Sequence, residues 1–143
     1  MANAPTSTIR SYDLESGSEE ERVWLAMKEI YSQSLAGEVQ RVTELMHADV
    51  TLWDSETEQL AFGVPHLLEL RSGQPQRKPK FMPIALDASE PVVDVWGDVA
   101  VLRHRLVVRF ADGEGEEVRI RNTSAWRLTD GQWQLAHNHE DVQ

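Results

Sequence analysis

The chain has 143 residues, 41% hydrophobic and 27% charged, the profile of one soluble globular domain with a core of its own. It has no cysteine, which removes disulfides and thiolate metal sites from consideration. A formal net charge of −10 argues against nucleic acid as a partner, since phosphate binding needs clustered Lys and Arg.

Residues 1–17 are small and polar and read as a flexible N-terminal arm, with no apolar stretch of the secretory-signal kind. No segment approaches the roughly 18 apolar residues of a membrane span, so a cytoplasmic location and no membrane partner are expected. A single domain then runs over 18–143. Ser18 and Glu21 fit a capping box opening a helix, with Val23, Met27, Ile30, Tyr31 and Ser34 at helical spacing and Gly37 closing it. A shorter helix carries Val39, Val42, Leu45 and Met46 and ends near His47. "ADVTLWDS" (48–55) reads as a strand, "EQLAFG" (58–63) as its return partner, and "VPHLLELRS" as a third helix with Pro65 in its first turn. The basic run "QRKPK" (76–80) is a solvated loop. From there the pattern switches to period two. "FMPIAL" and "PVVDVWG" form one broken strand or two, followed by strands over 98–110, 116–128 and 132–140. Helices first and an antiparallel meander after them make the class α+β.

The last hairpin can be read for faces. A two-residue turn at Asp130-Gly131 pairs Thr129 with Gln132, Trp126 with Leu135, Ser124 with His137 and Asn122 with His139. This set is the core face, so both terminal histidines are expected inside, while Asn138 and Glu140 point out and Glu140 pairs with Arg121. In the preceding strand, Ala100, Leu102, His104, Leu106 and Val108 form the apolar face, which turns His104 inward beside Ser124 or Asn122. His104, Asn122, Ser124, His137 and His139 would then make a polar patch on an apolar surface. Buried polar groups need partners, so such a patch implies a wet pocket or a ligand.

The helix ending in "SLAGEV", then "ELMHADVTLWD", "AFGVPHLLEL" and the closing "WRLTDGQWQLAHNH" resemble the nuclear transport factor 2-like superfamily. The nearest branches are the SnoaL-like domains and the association domain of calcium/calmodulin-dependent protein kinase II. The likeness covers about residues 20 to 140, and W-x-x-x-D-G-x-W-x-x-x-H-x-H is its most specific part. It implies a cone, or cystatin-like roll, in which a curved antiparallel sheet wraps around N-terminal helices. It also implies a pocket for a small-molecule ligand and a homodimer formed across the outer face of the sheet.

Function must be argued from the site. In the isomerase-type mechanism of the superfamily, the base position falls on Asp54. The donor tyrosine position falls on Ile30, one residue from Tyr31, and the donor aspartic acid position on Ser124, so two of three roles are unfilled. His104, His137 and His139 could together bind zinc, but the strands carrying them would be about 10 Å apart. The resemblance implies no metal or other cofactor. Histidine acid–base chemistry is a third possibility, with His137 or His104 acting and Asp54, Asn122 or Ser124 orienting ring or substrate. A fourth is a non-enzymatic ligand-binding or self-association domain. The kinase association domains carry pocket arginines, where this chain has Ser124-Ala125-Trp126 and Glu140. His137, His104 and Asp54 are therefore the catalytic candidates. Trp53, Asn122, Ser124, Trp126, His139 and Tyr31 are the candidate ligand contacts.

Overall fold

The computed structural model describes residues 11–53, 57–74, 82–111 and 117–143. Helix α1 (Glu19–Leu35) begins as its capping residues dictate: the Ser18 hydroxyl accepts from the Glu21 N–H at 3.1 Å. The Glu21 carboxylate reaches back to the Gly17 N–H, also at 3.1 Å. Its inner stripe is Val23, Met27 and Ile30, all buried. The helix is anchored from the sheet as well, because the Trp133 indole N–H donates to Glu19 at 2.6 Å. Before it, Leu14 packs against the core.

Helix α2 (Val39–Glu44) is shorter than its apolar spacing suggests. The chain turns at Leu45, whose carbonyl accepts the Leu135 N–H at 2.9 Å, and Met46 already belongs to strand β1 (Met46–Trp53). Strand β2 (Ala61–Phe62) pairs back on β1 and leads directly into α3 (Gly63–Ser72). Gly63 takes a φ of 79°, and a Cβ there would lie 3.1 Å from the Ala48 carbonyl oxygen. Only glycine fits this corner without strain.

The other strands are β3 (Pro83–Trp96), β4 (Val99–Phe110), β5 (Val118–Thr129) and β6 (Gln132–Val142). They form one sheet in the order β2-β1-β6-β5-β4-β3. All neighbours are antiparallel except β1 and β6, a parallel seam that the meander reading does not contain. The α+β expectation holds. The broken segment before Gly97 is a single strand with a register shift between Ser89 and Val92, where Glu90 adopts a φ of 56°.

The hairpin between β5 and β6 turns at Asp130-Gly131 with φ of 50° and 77°, the two positive values of a type I′ turn. Thr129 pairs with Gln132 and Trp126 with Leu135, as the sequence implies. The register then shifts: Ala125 pairs with His137 and Ser124 with Asn138, which leaves Ala136 as a bulge. Because side chains alternate with period two, one extra residue exchanges the faces of everything beyond it. Asn138 is consequently buried, and Arg121 pairs with Asp141 at 2.8 and 2.9 Å instead of with Glu140.

The core lies between α1 and the inner face of the sheet, with Trp126, Leu102, Ala100 and Val23 fully buried. Burying side chains of this kind stabilises by roughly 1.5–3 kcal/mol each. A second, smaller cluster of Leu106, Val108 and Ile120 lies toward the other end of β4 and β5. Among the described residues no helix is long and apolar enough to cross a membrane.

Candidate functional site

Tyr31 of α1 packs against the second cluster, but the helix and the cluster do not close completely. Between them lies a cavity of about 350 Å³, at the lower end of the range for small-molecule sites. Met27 and Ile30 wall it from the helix; Leu106, Val108 and Ile120 wall it from the sheet. Its polar lining is Tyr31, Ser34, Arg71, Asn138 and Glu140.

Tyr31 is tied to the sheet through its hydroxyl, which lies 2.7 Å from His104 Nε2. His104 is 4% exposed and stands edge-on to Trp24, ring centroids 5.3 Å apart. Burial lowers its pKa from the ordinary 6.5 to about 4, so the imidazole is neutral at neutral pH. Burial, followed by the charge of Glu140, pushes the Tyr31 phenol well above its usual range and keeps it protonated. Across the strand from His104 is Asn122, as the face reading anticipates, and its amide donates to Asn138 Oδ1 at 2.9 Å.

The expected site residues separate into three groups. Tyr31 lines the cavity, with His104 and Asn122 buried directly behind its polar lining. Ser124 and Trp126 are inward but belong to the core: the Trp126 indole N–H donates to Ser124 Oγ at 2.8 Å, and both side chains are fully buried. His137 and His139 lie on the outer face, against expectation, because of the Ala136 bulge, and Trp53, which alternates with buried Leu52 along β1, lies there too. There His137 Nδ1 is 2.7 Å from the Thr51 hydroxyl, and the His139 ring tilts against Trp53 at 5.7 Å. Asp54 lies outside the described residues.

His104 is thus on the opposite face from His137 and His139, and the three do not form a ligand set. Among the described residues no group of three or more metal-ligating side chains comes together. In place of the two terminal histidines, the bulge delivers Asn138 and Glu140 to the cavity. Arg71, near the end of α3, also faces it. The sequence offers no signal for Arg71, since its position depends on how α3 packs beside the sheet.

The match to known families decides the assignment: residues 23–142 match the SnoaL-like domain family. The chain belongs to the SnoaL-like domain family. Its fold is the cystatin-like, NTF2-like one. A ketosteroid isomerase, so assigned provisionally, from Parabacteroides distasonis superposes with a TM-score of 0.70 at 22% identity, covering 89% of each chain. The CaMKII hub of S. rosetta gives 0.73 at 21% identity, covering 90% of this chain and 100% of the hub. An NTF2-like protein of Novosphingobium aromaticivorans gives 0.71 at 20% identity, covering 87% of this SnoaL-like chain and 81% of the other. Likeness at these identities establishes the fold alone. A search of curated protein sequences returns no match.

Proposed function

We propose that this SnoaL-like domain binds a small organic molecule in the cavity between α1 and β4 to β6. It would act on that molecule by acid–base chemistry of the isomerase, cyclase or dehydratase type. One observation carries the reading: a hydrogen-bonded tyrosine–histidine pair and a carboxylate meet at one apolar cavity. Such walls exclude water and strengthen every polar contact made inside them. Glu140 is the proton acceptor and Tyr31 the hydroxyl that contacts the reacting group, while His104 holds Tyr31 in place without touching the ligand. Asp54, directly after β1, is a second candidate carboxylate. The similarity to a provisionally assigned isomerase supports the reaction class in kind.

Native mass spectrometry of the purified protein beside a Leu106→Trp variant tests this. A small-molecule adduct, or binding of a tetralin-sized probe, is expected in the wild type and lost when the indole fills the cavity. Equal binding in both proteins would contradict the reading.

A second reading, self-association as a homodimer, has its own support. Phe62 and Trp96 are 64% and 61% exposed, and with Trp53 they share the outer face by register. Phe62 and Trp53, on the adjacent strands β2 and β1, supply exposed aromatic surface at one edge of that face and Trp96 at the other, so a contact covering the whole face would bury all three. The similarity to kinase hub domains points the same way. Sedimentation of a Trp96→Glu variant tests it: a shift from dimer to monomer is expected, and a monomeric wild type would overturn it.

A further inference from the structure

Two buried atoms behind the cavity have no hydrogen-bond partner: His104 Nδ1 and Asn122 Oδ1. Their residues are only 4% and 2% exposed, so bulk water does not serve them. An unpaired buried polar atom is costly, and two together call for an explanation.

Register supplies one. His104 and Asn122 are directly opposed on β4 and β5, where facing Cβ atoms are typically about 4.5–5.5 Å apart. An imidazole carrying its proton on Nδ1 would be a donor facing the acceptor Asn122 Oδ1, so a small side-chain shift would pair two atoms that stand apart here. That tautomer leaves Nε2 bare, so Nε2 accepts the Tyr31 O–H across the observed 2.7 Å. From Asn122 the order continues in the same direction, since its amide N–H donates to Asn138 Oδ1. One proton arrangement therefore fits the two observed bonds, Tyr31 to His104 and Asn122 to Asn138, and makes the two unpaired atoms between them complementary.

Both ends of this series open on the same cavity, since Tyr31 and Asn138 line it and the two residues between them do not. Directionality then fixes what each end presents. Tyr31 uses its O–H as the donor to His104 and offers oxygen lone pairs to the cavity. Asn138 has used its carbonyl oxygen as an acceptor and offers N–H.

We propose that Tyr31, His104, Asn122 and Asn138 form one directional hydrogen-bond chain that selects a neutral ligand group with both a donor and an acceptor, a hydroxyl or an amide. The group donates to Tyr31 and accepts from Asn138. A ketone, which lacks the donor, meets only Asn138. A carboxylate brings no proton for Tyr31, and in the cavity it meets both the negative charge of Glu140 and the positive charge of Arg71. His104 and Asn122 are positioning residues that act through the two ends. The inference rests on the cavity being the ligand site, as argued above, and adds the chemical class that the site takes.

The test has two arms. Long-range proton–nitrogen correlation spectra of the wild-type protein report the His104 tautomer. The expected result is the Nδ1–H form; the Nε2–H form would overturn the chain. Calorimetric titration then compares three probes on one skeleton: tetralol, tetralone and tetralin carboxylate. Tetralol should bind at least about fivefold more tightly than tetralone, one neutral hydrogen bond being worth about 1 kcal/mol or more at a buried site. Tyr31→Phe, which preserves shape, should bring tetralol down to the level of tetralone and leave tetralone unchanged. Binding of all three without that ranking refutes the chain but leaves the cavity as the ligand site. No binding of any probe refutes both.

Discussion

The inner face of β5 serves two purposes along its length. Toward the Asp130-Gly131 turn it is closed: Trp126 and Ser124 are fully buried and bond to each other. Two residues further from the turn, Asn122 is as well buried but keeps an unpaired oxygen opposite the unpaired nitrogen of His104. The same strand, the same face and similar burial thus give a self-sufficient core at one end and an incomplete polar series at the other. The contrast teaches where a cystatin-like fold leaves room for chemistry. A polar group that finds its partner within the core adds to stability, whereas one that does not lies next to the cavity.

The largest effect should come from breaking the closed end. Trp126→Ala removes a fully buried indole and strands the Ser124 hydroxyl, so it should cost about 3–5 kcal/mol in a denaturant titration. A loss below about 1 kcal/mol would mean that this end is loosely packed.

The open end should show in the pH dependence of stability. His104 has its pKa lowered to about 4 in the fold against 6.5 when unfolded, so the unfolded chain binds the extra proton over that window. Stability should be level above the unfolded value and decline as pH falls through the window. The slope from this group approaches about 1.4 kcal/mol per pH unit. A His104→Gln variant should lose that slope, and an unchanged profile would show that His104 is not the group responsible.

Asn122→Leu interrupts the polar series while keeping the volume apolar. It removes one orphan oxygen but strands Asn138 Oδ1, which accepts from the Asn122 amide, so a modest net loss of about 1–2 kcal/mol is expected, together with weaker tetralol binding. Normal tetralol affinity in this variant would separate Asn122 from the site. The smallest effect belongs to the outer face. His139→Ala should leave both stability and cavity binding within about 0.5 kcal/mol of wild type, as measured by melting and titration.

Much of the fold is legible in the residues. The capping pair Ser18 and Glu21, the turn at Asp130-Gly131 and the apolar face from Ala100 to Val108 each have a local physical cause, and each is found in place. The bulge at Ala136 has none. From His137 to Asp141 every side chain is polar, so hydrophobic alternation is silent on phase just where the phase changes. Arg121 can pair with Glu140 or Asp141 equally well on paper, and only the register separates them. The parallel seam between β1 and β6, along which Thr51 meets His137, couples that bulge to a strand far away in sequence. Such long-range pairing leaves no local mark. His104, Asn122 and Tyr31 could be found from the sequence because they sit where periodicity is strong. Asn138 and Glu140 could not.

The division between inner and outer faces can be measured directly by following methyl resonances as tetralol is added to the wild-type protein. If the cavity is the ligand site, shifts should concentrate at Met27, Ile30, Leu106, Val108 and Ile120, while Val99 and Val101 on the outer face remain still. Shifts centred on those outer valines, with the inner methyls unmoved, would contradict the assignment of the site.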